Sequence, residues 1–152
     1  MKVVVQRVST GSVNIRSEKY FQRINKGFVI LLGIREGDTE QDSLFLADKC
    51  TNLRVFEDQN DKMNLSLKDV NGEVLVISQF TLYGDAQRGN RPSFIAAAKP
   101  DTAIPLYEKF IKRMKENLGE AKIKEGIFGA MMDVEIINDG PVTIIIDSKV
   151  QN

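Results

Sequence analysis

A chain of 152 residues, 42% hydrophobic and 28% charged, with zero formal net charge, has the balance of one soluble globular domain with its own core. No apolar run approaches the roughly 20 residues of a membrane helix, and the opening MKVVVQRVST is too weakly apolar for a signal peptide, so the expectation is a cytoplasmic protein with no membrane partner. The absence of histidine excludes Ser-His and Cys-His catalysis and histidine-ligated zinc, and the lone Cys50 excludes an internal disulfide.

In chain order, MKVVVQRV is a strand by its β-branched content, and GSVNIR and KYFQRI alternate as a short hairpin pair. KGFVILLGI is continuously apolar, as in a strand buried on both faces. Asp38 or Thr39 can cap a helix over about 39–52, with Leu44, Leu46, Ala47 and Cys50 at helical spacing. LRVFED reads as a strand, and QNDKMNLSLKDVNG as a polar connection ending in a turn-forming Asn-Gly. EVLVISQFTL carries the strongest strand signal in the chain, followed by the loop GDAQRGNRPSF. Asp101 or Thr102 begins a second helix that Gly119 stops. AKIKEGIF, GAMMDVEII and PVTIIID then read as strands or extended segments. Strands with two main helices, and no repeat or linker, predict a single α+β domain over 1–152 with a mixed, curved, barrel-like sheet.

Charge is unevenly spread. Residues 1–34 carry six basic and one acidic group, residues 35–85 five and eleven, residues 86–126 nine and five, and residues 127–152 one and four. A locally basic surface can meet a phosphate backbone despite the neutral total.

Two stretches hold the candidate chemistry. In SQFT, residues 78–81, the polar Ser78, Gln79 and Thr81 close an apolar strand just before a basic loop. With no histidine to take its proton, Thr81 is a poor nucleophile, and backbone N–H groups near Phe80 and Thr81 are better placed to bind a developing oxyanion. In NDGPVT, residues 138–143, Gly140-Pro141 sits between two apolar runs. It reads either as a plain turn or as a pair of backbone carbonyls serving as a rigid wall. X-Pro bonds are the ones with an appreciable cis population.

Taken with MKVVVQRV, FVILLGIREGDTEQD, RGNRPSF and FGAMMDVEIINDGPVT, these motifs resemble the D-aminoacyl-tRNA deacylase family over nearly the whole chain. The resemblance implies hydrolysis of the ester joining a D-amino acid, or glycine, to the 3′ end of tRNA, without cofactor or metal. It implies that Ser78, Gln79, Phe80 and Thr81 hold the aminoacyl ester and terminal adenosine, and that Gly140 and Pro141 form a Gly-cisPro filter entering the partner's pocket in a homodimer. It implies that Arg7 supports that motif and that Phe128 and Met132 lie near the pocket. Met132 shares strand parity with Val134 and Ile136, so a core role is an equal reading. The family's mechanism leaves open whether the ribose 2′-OH assists or Thr81 attacks. The alternative from another class is a non-catalytic RNA-binding module with a basic stripe through residues 88–124, using Phe94, Tyr107 and Phe110 for stacking.

Overall fold

A computed structural model describes residues 1–149; the last three residues of the domain expected over 1–152 lie outside the described residues. The strands are β1 (Lys2–Ile15), β2 (Tyr20–Ile24), β3 (Gly27–Gly33), β4 (Phe56–Glu57), β5 (Met63–Leu65), β6 (Glu73–Ser78), β7 (Ile123–Glu125) and β8 (Asp133–Asp147). The two α-helices are α1 (Glu40–Asn52) and α2 (Pro100–Leu118), and 3-10 turns span Arg16–Glu18, Phe80–Tyr83 and Glu120–Lys122.

The main sheet runs β2-β1-β3-β6-β7, with β8 on β1. β3–β6 and β6–β7 are parallel pairs, bridged by crossovers that carry α1 and α2, and the remaining pairs are antiparallel. The sheet curls until the hydroxyl of Tyr20 in β2 donates to the Glu125 carbonyl in β7 at 2.6 Å, which nearly closes a barrel.

The two central strands are apolar throughout because each of their faces is buried. Phe28, Ile30 and Leu32 of β3 and Val74 and Val76 of β6 face the helices, against Leu46, Phe110 and Met114. Val29, Leu75 and Ile77 point into the barrel, where they meet Val13, Ile15, Ile24, Met132 and Ile136. Alternation in a strand therefore sorts one apolar run into two cores. Along α2, Leu106, Tyr107, Phe110, Ile111 and Met114 recur at helical spacing and are buried. Each such large side chain contributes roughly 1.5–3 kcal/mol by leaving water. Cys50 is fully buried, and burial pushes its thiol up to about 12, so it is an inert core residue.

Several expectations are corrected. MKVVVQRV and GSVNIR form one strand, β1, whose first half pairs with β3 and whose second half pairs with β2. Its pairing with β8 shifts register at Gln6/Val8, where the extra residues belong to β8, and at Val8/Thr10, where β1 carries one extra residue and bends. Gly11 sits at that bend, where a Cβ would lie 2.6 Å from Val29 Cγ2. GAMMDVEII and PVTIIID likewise contribute to one strand, β8, so NDGPVT does not reverse the chain. LRVFED supplies only the two residues of β4, which pair with β5 inside the polar connection. EVLVISQFTL stops being strand at Ser78. α2 begins at Pro100 with Lys99 as its N-cap rather than at Asp101 or Thr102, because proline at the first helical position has its φ preset and no N–H to satisfy. Thr39 caps α1 reciprocally with Asp42, and Gly119 ends α2 at φ 100°. Among the described residues no helix is long and apolar enough to cross a membrane.

Candidate active site

β6 runs beside β3 until the Gln79 N–H bonds the Leu32 carbonyl at 2.8 Å; the chain then tightens into the 3-10 turn. Gly33, ending β3, permits this turn to settle against the sheet, since a Cβ there would lie 3.0 Å from Leu82 Cβ and 3.1 Å from the Gln79 carbonyl oxygen. The first bond within the turn is Leu82 N–H to Gln79 carbonyl, 3.2 Å. The N–H groups of Phe80 and Thr81 precede it, and the start of a helical turn leaves such donors without an internal acceptor.

Beneath this turn lies a cleft of about 330 Å³. Leu32 and Ile34 form one wall, Ile77, Ser78, Gln79 and Phe80 a second, Ala98 and Ala103 a third, and Phe128 with Gly129, Ala130, Met131, Met132 and Val134 the fourth. No lining side chain is ionisable. Phe128 is held edge-on to Tyr107 at a centroid distance of 5.7 Å, and the Tyr107 hydroxyl donates to the Val76 carbonyl at 3.1 Å. Met132 lines the cleft and also packs into the barrel core beside Val134 and Ile136, so its two sequence readings describe one position. Its sulfur lies 2.6 Å from where a Cβ on Gly126 would be, which fits glycine at that position.

Thr81 is not among the lining residues. Its side chain is exposed, and its hydroxyl accepts a hydrogen bond from the Gln79 amide. Phe80 stands at the mouth, 54% exposed, with its ring edge-on to Phe94 at 5.2 Å.

Arg7, Gly140 and Pro141 form a second cluster. In β8, Asn138 stands opposite Val8 and Thr143 opposite Gln6, so residues 139–142 bulge out against Arg7 alone. Proline has no N–H for the ladder, which suits an excursion of this kind. The Gly140-Pro141 peptide bond is cis, and both residues are exposed. Arg7 is 3% exposed. Its Nε donates to the Asp139 carbonyl at 3.0 Å, and its Nη1 donates to the Val55 carbonyl at 2.6 Å and to Glu57 Oε1 at 3.0 Å. Hydrogen bonding from Arg7 holds the Glu57 carboxyl below the usual carboxylate range. Gly140 adopts φ 126°, a backbone that side chains rarely tolerate, and a Cβ there would lie 2.9 Å from Val142 Cγ2 and 3.2 Å from Arg7 Nη2.

These two clusters are separate within one chain. Ser78 is level with Leu32 and, across β3, with Val3, whereas the excursion is level with Arg7. Four residues along β1 correspond to roughly 13 Å, and β6 and β8 are three strand spacings apart, about 14 Å. None of residues 139–142 lines the cleft.

Sequence reasoning missed Val55 and Glu57, the two partners of Arg7 outside the motif. The signal was present: Arg7 has the inward parity of Val3 and Val5, and a buried guanidinium requires acceptors. It also missed Ala98, Ala103 and the 129–131 segment, ordinary small or apolar residues that only the fold gathers. A second, shallower groove of about 540 Å³ runs along the C-terminal half of α2, where Lys115 pairs with Glu120 at 3.1 Å and Glu125 at 3.5 Å. It gathers no nucleophile or cluster of reactive groups. Among the described residues no cluster of three or more His, Cys, Asp or Glu side chains is placed to hold a metal ion.

Residues 4–147 match the D-Tyr-tRNA(Tyr) deacylase family. The D-aminoacyl-tRNA deacylase of Flavobacterium psychrophilum is 56% identical over 149 residues, covering 98% of each chain. The protein of the same name from Thermus aquaticus is 54% identical over 98% of this chain and 96% of its own. Among solved structures, the c-Myc DNA Unwinding Element Binding Protein aligns with a TM-score of 0.91 at 39% identity, covering 99% of this chain and 100% of that one. A probable eukaryotic D-amino acid tRNA deacylase aligns with a TM-score of 0.82 over 95% of this chain and 97% of that one; at 15% identity the likeness is one of fold.

Proposed function

The chain belongs to the D-aminoacyl-tRNA deacylase family and is a hydrolase, and from that premise we propose how its two polar clusters divide the work. The reaction is hydrolysis of the ester joining a D-amino acid to the terminal adenosine of tRNA. Water adds to the ester carbonyl, the bond from carbonyl carbon to ribose oxygen breaks, and the proton goes to that oxygen. Free D-amino acid and tRNA leave. The observation that carries the mechanistic reading is the cleft itself: it has no ionisable side chain, yet Phe80, which lines it, and Thr81, the next residue, each have a backbone N–H without a turn partner. Such donors stabilise an oxyanion at no cost in reorganisation. Proton transfer then falls to the substrate, through the neighbouring ribose 2′-OH. Ser78, Gln79, Phe128 and Met132 hold the aminoacyl-adenosine end.

Gly140 and Pro141 act as the chiral filter. Their carbonyls form a wall that a D side chain avoids and an L side chain strikes; glycine, with no side chain, passes, so glycyl-tRNA is a substrate too. Backbone serves well because it has no rotamers and recognises no particular side chain, and rejection then rests on a clash with the wrong substrate. The separation of this excursion from the cleft of its own chain, and the exposure of both residues, support a homodimer in which each copy inserts the wall into the other's pocket. The site of action is the cytoplasm, where tRNA is charged.

The purified protein offered tRNA charged with D-tyrosine, L-tyrosine and glycine tests this reading. Hydrolysis of the D and glycyl esters, with the L ester at least about 100-fold slower, is expected. Equal rates for D and L would overturn the filter. The competing reading, a non-catalytic RNA-binding module, is disfavoured by burial: Tyr107 and Phe110, two of its three stacking aromatics, are in the core beneath α2.

A further inference from the structure

The substrate is a polyanion, but the cleft carries no charge. Phosphate affinity must therefore come from the rim. The chain from residue 86 to residue 99 borders the cleft and contains three basic residues, Arg88, Arg91 and Lys99, and no acidic one. None of the three forms an ion pair among the described residues; of the other six arginines, Arg7, Arg16, Arg35 and Arg113 do, and Arg23 and Arg54 do not.

The loop is anchored at both ends and projects in the middle. Asp85 and Ser93 exchange both backbone hydrogen bonds at 2.8 Å, closing a hairpin whose tip is residues 86–92. The Asp85 carboxylate accepts from the Gln87 N–H at 2.9 Å and so is turned into the base of the hairpin. Beyond it, the Glu36 N–H bonds the Ala96 carbonyl at 3.2 Å and the Ala98 N–H bonds the Ile34 carbonyl at 3.0 Å, tying the returning limb to the cleft wall. Phe94 on that limb meets Phe80 at the mouth, and Ile95 is 92% exposed. From the Asp85–Ser93 bridge the tip reaches at most ~10 Å, three residues of extended chain. The bridge thus keeps the backbone of Arg88 and Arg91 within ~10 Å of the hairpin base, on the limb that continues to Phe94 and the cleft mouth.

We propose that this hairpin tip is the docking surface for the phosphates of the single-stranded tRNA 3′ end, with Arg88 and Arg91 each holding one phosphate of the nucleotides that precede the terminal adenosine. The proposal rests on the deacylase reading above and adds the partner contact that the uncharged cleft lacks. Contacts of this kind fix position and carry no sequence preference, which suits an enzyme serving many tRNAs.

The test compares Arg88→Ala/Arg91→Ala with the parent on two substrates, D-tyrosyl-tRNA and D-tyrosyl-adenosine, the latter with no phosphate. On tRNA the variant raises KM roughly tenfold with kcat unchanged. The plot of log kcat/KM against log salt becomes shallower by about 1.4, from roughly 0.7 per single-strand phosphate. On D-tyrosyl-adenosine parent and variant are equal. Equal losses on the two substrates, or no change in KM and salt slope on tRNA, would overturn the proposal. Binding of uncharged tRNA, followed by fluorescence anisotropy, reads the same contacts without turnover: the variant binds about tenfold more weakly, and equal binding would also overturn the proposal. A parent that binds tRNA but hydrolyses neither ester would count against the deacylase reading alone.

Discussion

The segment at residues 78–81 and the excursion at residues 139–142 look alike in the sequence, each a polar interruption at an apolar strand, yet they are built in opposite ways. The first ends its strand. It is fixed by the sheet itself, through the Gln79 N–H on the Leu32 carbonyl, and opens into a cleft of its own chain. The second continues its strand on both sides, and its brace is a side chain, the buried Arg7, which reaches it from β1 and is held by Val55 and Glu57. In the reading proposed above, backbone aimed by backbone supplies the chemistry in the first case, and backbone aimed by a guanidinium supplies a wall in the second. The two segments should therefore fail differently when perturbed.

The largest effect is expected on the cleft side, from the substrate rather than the protein. D-aminoacyl-tRNA ending in 2′-deoxyadenosine, with the amino acid on the 3′ oxygen, should be hydrolysed at least about 100-fold more slowly, the lower range of a positioned acid-base group. Single-turnover rates measure this. Undiminished turnover would mean that a protein group moves the proton, and the assignment of chemistry to backbone and ribose would fail.

On the excursion side Arg7→Ala comes next. It removes the donors that satisfy the Val55 and Asp139 carbonyls and leaves a buried void. Lost charged hydrogen bonds of this kind cost about 2–3 kcal/mol, or a melting temperature lower by roughly 5–10 °C for a chain of this size. Discrimination between D- and L-tyrosyl-tRNA should fall with it. A stable variant that keeps full discrimination would show that the wall stands without its brace.

Glu57→Gln is milder and more specific. The carboxylate is half exposed, so stability should barely change, while the D-to-L rate ratio falls a few-fold as Arg7 loses one of its two ionic partners and keeps the other, Asp139. The pH dependence has a definite sign. A carboxyl held low in the folded protein stabilises above its unfolded range and loses that contribution as pH falls through the folded value. The parent's D-to-L ratio should be flat from neutrality down to the ordinary glutamate range, about 4, and fall only below it. A ratio that changes between pH 6 and 8 would place its control elsewhere.

How much of this was readable beforehand follows from the same contrast. The cleft-side strand announced itself, because EVLVIS is apolar on both faces and only a central strand buries both. Its end was misjudged by four residues: Phe80 and Leu82 prolong the apolar pattern, and nothing local reveals that Gly33 lets the chain tighten there. On the other side, Gly140-Pro141 was visible as a break, but turn and bulge share the same residues, and only the pairing of Asn138 and Thr143 to one strand separates them. Arg7 was legible through its motif, Val55 and Glu57 were not, because their link to it spans about 50 residues and belongs to the fold.

The smallest effect is expected at the residue that sequence alone made most prominent. Thr81 has the hydroxyl that one version of the family's mechanism casts as a nucleophile, but it is exposed, lies outside the cleft lining, and its oxygen is engaged by the Gln79 amide. What the position contributes to the proposed oxyanion site is its N–H, which alanine retains. Thr81→Ala therefore releases Gln79 to sample other rotamers, and this loosens the hold on the aminoacyl end without touching the step itself. KM should rise a few-fold and kcat should stay within about threefold of the parent, with the melting temperature unchanged, as for other exposed substitutions. The paired experiment is a rapid quench of the parent during turnover, followed by mass measurement of the intact chain. If Thr81 attacks the ester, an added D-tyrosyl mass appears on the protein and the variant loses turnover altogether. If backbone and ribose carry the reaction, the mass never shifts, and removing the side chain leaves a more weakly binding enzyme that still discriminates, since the proposed wall is the backbone at Gly140 and Pro141 braced by Arg7, which the substitution leaves untouched.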